Sequence, residues 1–370
     1  MTKLWILLAV SLVMAWVIDN RDQKLRLCGG NRREHLVTWI LTIVLCFFVG
    51  LRTWGNDTVT YLQIYDQMPL LEDFWGNERY DFAGGYGFYL LTSVLKTLGF
   101  SGQDYLMFYA FATIIPYVMF VRRYSGSMVF GVFLMLATGF YTFPMAAIKQ
   151  CMATGICLMA VSCALDRKWI RYLLLMVLAV LFHPYAIIYL FVPFLMFKPW
   201  TYWTFVYVGV FMAAGFYLES LLGTVLDITD MMGAGYDETT FTGEGVNLFR
   251  VLVSFVPLIL AALYGKALFR NSSKTDNLMF NMAMINALIM FVGMFGTANY
   301  FARLANYFLP AQIITIPWIL RKTHPRDRAW MMPACIVGYL GYFFYEHAII
   351  RPFDSSYSQM PVWDYIITLF

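Results

Sequence analysis

The chain has 370 residues, of which 61% are apolar, 19% aromatic and only 13% charged, against about 45–50% apolar and about 25% charged in a soluble domain. Sixty-one per cent of 370 is roughly 226 apolar residues, which at about 20 per membrane-spanning helix leaves room for about eleven spans and excludes a soluble globular enzyme. The net charge of +4 comes with no basic stretch interleaved with stacking aromatics, so nucleic acid is excluded as a partner.

Apolar windows predict twelve spans, near 3–19, 35–51, 104–122, 127–142, 145–165, 169–182, 184–198, 201–221, 248–268, 277–295, 303–320 and 329–348. The range that the windows allow is 10–13. The fold class is therefore an all-α polytopic integral membrane protein, a single transmembrane domain over residues 1–370. The first run, Leu4 to Ile18, has only Lys3 before it, while Arg21, Lys24, Arg26, Arg32 and Arg33 follow. A secretory signal has the reverse order of charge, so this run is read as a retained span with its N-terminus outside. Segment 85–100 is shorter, contains Lys96, and reads as an interfacial helix in the membrane plane.

Charge tests that layout. With alternating spans, the inside loops are 20–34, 122–126, 166–171, around 198, 266–276 and 321–328, and they hold 18 of the 26 Lys and Arg residues. Most of the 22 acids lie elsewhere, as the positive-inside rule expects. Both termini then lie outside, together with the segment 52–103, an acidic loop over 222–247 and the tail 351–370. The acidic loop, with Asp227, Asp230, Asp237, Glu238 and Glu244, reads as a solvated face rather than a metal site. The inside loops are too short for a catalytic domain, so chemistry is expected at the outside face. Cys28, Cys46, Cys151, Cys157, Cys163 and Cys335 form no C-x-x-C pair, so neither a disulfide framework nor a zinc site is expected.

Polar residues in or beside the spans carry the functional information, because charge at membrane depth is costly and faces a cavity or the bundle interior. Arg52, Asn56, Asp57, Thr58 and Tyr61 follow the second span directly. Lys149 and Gln150 sit inside the fifth, Arg250 opens the ninth, and Arg303, Asn306 and Tyr307 begin the eleventh. His183-Pro184 joins two short runs; 14 residues from Trp169 to Phe182 span roughly 21 Å, short of a hydrocarbon layer about 30 Å thick. A hairpin of two half-length helices would put His183 near the floor of an outward-open polar cavity, since non-helical backbone at that depth needs such cover. Each signal also has a plain structural reading. Arg52, Arg303 and Lys149 can snorkel, Asp57 can cap the helix that starts at Thr58, and His183 can satisfy a broken helix end. Four separated segments that put Arg, Asp, Lys and His on one side favour the functional one.

Outward cations at membrane depth suit a phosphorylated lipid, because Arg offers a planar fork for phosphate oxygens and Lys a point charge. In glycosyl transfer from a lipid diphosphate, fixed cations would stabilise the leaving diphosphate with no metal or other cofactor. The acceptor hydroxyl needs a base, for which Asp57 and His183 are the candidates. Tyr61, Tyr65, Trp75, Tyr80, Tyr86 and Tyr89 offer stacking faces for sugar rings, or form an interfacial belt.

At these positions the chain resembles the EpsG-family, Wzy-like polysaccharide polymerases. Arg52-x-x-Gly55-x-Asp57-Thr58-x-x-Tyr61 is similar to that family's R-x-x-G-x-D-T-x-x-Y motif. Lys149-Gln150 followed by Met152-Ala153 is similar to its R-Q-x-x-A signature, with Lys in place of the usual Arg. Phe182-His183 resembles its F-H pair and Arg303-x-x-x-Tyr307 its late R-x-x-x-Y, all in order over about residues 35 to 320. The resemblance implies a GT-C-like membrane glycosyltransferase, metal-independent and inverting. Such enzymes join undecaprenyl-diphosphate-linked oligosaccharide repeats of O-antigen, capsule or exopolysaccharide at the outer face of the bacterial inner membrane. Carried over, Arg52, Lys149 and Arg303 would bind diphosphate, while Asp57 or His183 would act on the acceptor hydroxyl. Gln150, Arg250, Thr58, Tyr61 and Tyr307 would complete the substrate site. The lipid bilayer, a chain-length regulator and a flippase are the partners it implies. The alternatives are an O-antigen ligase, which uses the same donor, and a lipid-linked oligosaccharide flippase or other transporter.

Overall fold

The computed structural model describes residues 1–27, 36–75, 80, 84–217, 224, 227, 245–296, 298–353 and 357–369. They form an all-α membrane protein with almost no sheet. In chain order the helices are α1 (Thr2–Leu27), α2 (Leu36–Gly50), α3 (Thr58–Gln67), α4 (Leu71–Phe74), α5 (Tyr86–Thr97), α6 (Gly102–Tyr124), α7 (Met128–Ala137) and α8 (Ile148–Leu165). They continue with α9 (Trp169–Phe182), α10 (Tyr202–Phe216), α11 (Leu248–Ala262), α12 (Lys274–Val292), α13 (Ala298–Asn306), α14 (Leu309–Lys322), α15 (Pro325–Phe344) and α16 (Val362–Thr368). Among the described residues α1, α6, α8 and α12 are long and apolar enough to cross a membrane, and α2, α7, α9, α10 and α11 are shorter apolar helices. Two short strands, β1 (Arg52–Trp54) and β2 (Ser358–Gln359), pair antiparallel, with Arg52 opposite Gln359 and Trp54 opposite Ser358.

Local signals set the helix starts. Ser101 accepts from the Asp104 amide while Asp104 accepts from the Ser101 amide at 3.0 Å, which closes a capping box at α6. Ser273 and Asp276 repeat it at α12. The sequence of α12 is apolar all round, as a central helix requires, and nearly all its residues from Asn277 to Met290 are buried. Its asparagines tie down neighbouring backbone where helices stop. Asn281 donates to the carbonyls of Leu195 and Phe197 at 2.7 and 2.8 Å, and Asn286 to that of Ala305 at 2.7 Å. Away from water a freed carbonyl needs such an internal donor.

Several predicted spans are interrupted. The stretch 127–142 is helical only as α7, and residues 138–147 run irregularly with a single 3-10 turn at Phe143–Met145. Pro184–Leu195, expected as a half-length α-helix, is a 3-10 segment with Pro184 in its first turn and Pro193 inside, which removes two amide donors from an α ladder. The span 303–320 breaks after Asn306, so Arg303 ends a short helix rather than opening a long one. At 329–348, α15 gives way to a π-helical turn over Tyr345–Ile350. Most of the acidic loop, including Asp230, Asp237, Glu238 and Glu244, and also Cys28, lie outside the described residues. Cys46, Cys151, Cys157, Cys163 and Cys335 are unbridged thiols.

The basic loops gather at one end of the bundle. There Arg122 forms a buried ion pair with Asp22, with a second contact at 2.9 Å, and Asp19 accepts from Ser127 and the first amides of α7. Arg123 pairs with Asp166 at 2.8 Å, and Lys322 donates to the Asn271 carbonyl. The first turns of α8 and α11, the break between α13 and α14, and β1 lie at the other end.

Candidate functional site

At that second end a cavity of about 420 Å³ opens between the irregular run after α7, α11, α12, the α13–α14 break, the π turn and the β1–α3 connection. Its size falls in the usual range for ligand sites, about 300–1,000 Å³. Asp57, Arg250 and Arg303 line it, joined by Asn56, Asn306, Glu346, Arg351 and Tyr357.

The β1–α3 turn aims Asp57. Gly55 at φ +115° and Asn56 at φ +48° reverse the chain through the left-handed region, which glycine and asparagine tolerate best. Asp57 then stands at the N-cap of α3, but its carboxylate makes no capping bond; the half-buried side chain faces the cavity instead. Arg303 sits in the last turn of α13 with its guanidinium exposed to the cavity and in no side-chain ion pair among the described residues. Its carbonyl accepts from Gln150 Nε2 at 2.5 Å, so the buried Gln150 fixes α13 against α8. Arg250 is bidentate on Glu346, with Nε and Nη2 at 2.7 and 2.6 Å from the two carboxylate oxygens.

Arg52 lies behind the wall, not in it. The side chain is 1% exposed, Nη1 donates to the Val49 carbonyl at 2.9 Å, and Nε and Nη2 have no hydrogen-bond partner among the described residues. Tyr61, Tyr105 and Tyr357 surround it, and burial pulls its proton affinity below the ordinary arginine range. Tyr357 lines the cavity and lies within electrostatic reach of Arg52, Asp57 and Arg351. Thr58 is fully buried with an unpartnered hydroxyl, and Tyr61 packs edge-on against Phe88.

His183, Lys149 and Tyr307 form a second polar cluster beside the cavity, which corrects the expectation that His183 lies on its floor. His183 ends α9, with Nδ1 2.9 Å from the Tyr307 hydroxyl. Tyr307 in turn gives its carbonyl to the Tyr189 hydroxyl, and Tyr189 gives its own to Tyr172. This tyrosine ladder satisfies carbonyls that the helix breaks release. Lys149 Nζ donates to the Gly84 carbonyl at 2.9 Å and the Tyr89 hydroxyl at 2.7 Å, with the Tyr89 ring centroid at 4.0 Å. Gly85, at φ +91°, permits this: a Cβ there would lie 2.6 Å from the Phe182 carbonyl oxygen. Lys149 and Arg303 both act electrostatically on the His183 ring.

The sequence pattern of the EpsG family matches residues 35–362, most of the chain. The chain belongs to the EpsG family. Neither the curated proteins nor the solved structures give a match. EpsG proteins are Wzy-like polysaccharide polymerases, so the chain is a glycosyltransferase-like polymerase of the membrane. In this EpsG chain all four motif segments reach the same end of the bundle: Asp57 and Arg303 line the cavity, Arg52 is buried behind it, and the half-buried Lys149 and His183 lie beside it.

Sequence reasoning singled out neither Glu346, His347 and Arg351 nor the amides Asn286 and Gln312, all of which line the cavity. The Glu346-His347 pair inside an apolar run was the available signal. The buried His347 accepts or donates at Thr142 Oγ1, 3.0 Å away in the irregular run after α7. A π turn widens the helix there, as at many functional sites. Among the described residues no group of three or more His, Cys, Asp or Glu side chains gathers to hold a metal ion.

Proposed function

We propose that this EpsG protein polymerises undecaprenyl-diphosphate-linked oligosaccharide repeats at the outer face of the bacterial inner membrane, as an inverting glycosyltransferase that needs no metal. The observation that carries the reading is the pairing, in one cavity, of a carboxylate that makes no capping bond (Asp57) with exposed guanidinium groups (Arg303, Arg351) that form no ion pair among the described residues. Asp57 takes the proton of the acceptor hydroxyl as its oxygen attacks the anomeric carbon. The bond from that carbon to the diphosphate oxygen breaks, and Arg303 and Arg351 hold the departing negative charge. Charge fixed in place before the reaction lowers the barrier without reorganisation. His183, oriented by Tyr307, and Lys149, held by Gly84, shape the adjoining wall, and Arg52 supplies positive potential from behind Tyr357.

The test is incubation of the purified protein with lipid-linked repeats in EDTA, followed by gel analysis. A ladder of lengths on undecaprenyl diphosphate supports the reading. Polymer delivered only to lipid A core would identify a ligase, and unchanged substrate moved across vesicles a transporter.

A further inference from the structure

Two carboxamides in the cavity wall are held by their nitrogens, while their buried oxygens have no hydrogen-bond donor among the described residues. Asn286, on the central helix α12, donates through Nδ2 to the Ala305 carbonyl at 2.7 Å. Gln312, one turn into α14, donates through Nε2 to the Val253 carbonyl at 2.8 Å and to the Tyr339 hydroxyl at 2.6 Å. A carbonyl oxygen only accepts, so in each amide the NH2 end must face it, and the direction of each side chain is set. What remains is one acceptor apiece, Asn286 Oδ1 and Gln312 Oε1, with no donor partner among the described residues. The residues are 2% and 1% exposed, and both line the cavity.

A buried acceptor without a partner is rare and destabilising. The missing group must be a donor, which excludes the diphosphate, whose oxygens accept. A neutral amide oxygen suits the hydroxyl or N-acetyl N–H of a sugar. The cavity is graded accordingly: Arg303 and Arg351, which form no ion pair among the described residues, are exposed. Asn286 sits six residues before the end of α12 at Val292, roughly 9 Å along the helix. Nothing charged is needed at the deep end if the sugar portion points there.

We propose that Asn286 and Gln312 are specificity-determining residues of the polymerase, and that their carboxamide oxygens accept hydrogen bonds from the saccharide repeat. The inference rests on the reading of the cavity as the polymerisation site. Asn281 supplies an internal control. It lies on the same helix, is fully buried, is anchored through Nδ2 in the same way and also leaves Oδ1 unpartnered, but it does not line the cavity.

The experiment uses the purified full-length protein and two probes: the native lipid-linked repeat, and the same oligosaccharide released from its lipid. Asn286→Leu and Gln312→Met remove the acceptors, and with them the donors to Ala305 and Val253, at nearly constant volume. Asn281→Leu removes the same kind of donor away from the cavity. The two cavity amides lie on different helices, so a folding failure in one leaves the other informative. Each is expected to raise KM for the lipid-linked repeat about tenfold, the loss of one good hydrogen bond, with kcat changed less. The free oligosaccharide is expected to raise the unfolding midpoint of the wild type and of Arg303→Ala, but not of either amide variant. Asn281→Leu is expected to keep the wild-type KM and the oligosaccharide shift. Amide variants that fold and retain both would overturn the proposal, as would a wild type that polymerises while the free oligosaccharide leaves its midpoint unmoved. A wild type that is protected by the oligosaccharide but forms no ladder would instead overturn the polymerase reading and leave the sugar site standing.

Discussion

Three arginines at one end of the bundle meet three different fates. Arg303 is open to the cavity, Arg250 is closed on Glu346, and Arg52 is sealed with two of its nitrogens unpartnered. These states predict different mutant behaviour. Arg303→Ala is expected to lower the initial rate of chain extension by at least about a hundredfold, the scale of losing one preorganised donor, with thermal stability unchanged and partial recovery in Arg303→Lys. Asp57→Asn keeps the turn and removes the base, and a loss of about 10²–10⁴ in kcat is expected; gel-resolved initial rates check both. Arg52→Met is different. It replaces a buried charge, unpaired among the described residues, by an apolar chain of similar length, and stabilisation of the order seen when buried ion pairs are so replaced, about 1–4 kcal/mol, is expected. A raised unfolding midpoint with lost polymerisation is expected. A lowered midpoint would show that Arg52 serves the fold.

At the element scale, function depends on where helices stop. The irregular run after α7, the α13–α14 break and the π turn at Tyr345–Ile350 all border the cavity, and the hydrogen bonds of Gln150, Asn281 and Asn286 make such helix stops tolerable in a bundle with little water. The long helices were legible in the sequence because apolar length signals them directly. The breaks were not, since Tyr307-Phe308 is apolar like its flanks and Thr138–Ala147 is still mostly apolar and aromatic. Motif positions Asp57 and Arg303 were legible through the cost of charge at depth, whereas that argument passes over neutral amides, so Asn286 and Gln312 went unseen. Gly85 tests the docking of α5 on α9. Gly85→Ala adds a Cβ 2.6 Å from the Phe182 oxygen at φ +91°, and a loss of about 1 kcal/mol or more is expected from the backbone conformation alone. Because Gly84 holds Lys149, thermal unfolding and chain extension should fall together.

Taken whole, the molecule separates its two kinds of charge along the bundle. At one end, Lys and Arg residues meet acids in structural contacts such as Arg122–Asp22 and Arg123–Asp166; at the other, arginines face an open cavity. Short loops rich in Lys and Arg stay on the cytoplasmic side during insertion, so the cavity should open to the opposite face, where a lipid-linked repeat would be extended. Single cysteines in a background without the native ones decide this in intact cells. Lys168→Cys lies in the loop between α8 and α9, and Val59→Cys lies on the exposed side of α3 beside Asp57. A charged, membrane-impermeant maleimide is expected to label Val59→Cys in intact cells and Lys168→Cys only after the inner membrane is opened. The reverse pattern would turn the cavity towards the cytoplasm and sink the proposed outer-face reaction. The arginine cavity would then have to meet its diphosphate on the side where such lipids are built, which the flippase alternative requires and a polymerase of finished repeats does not.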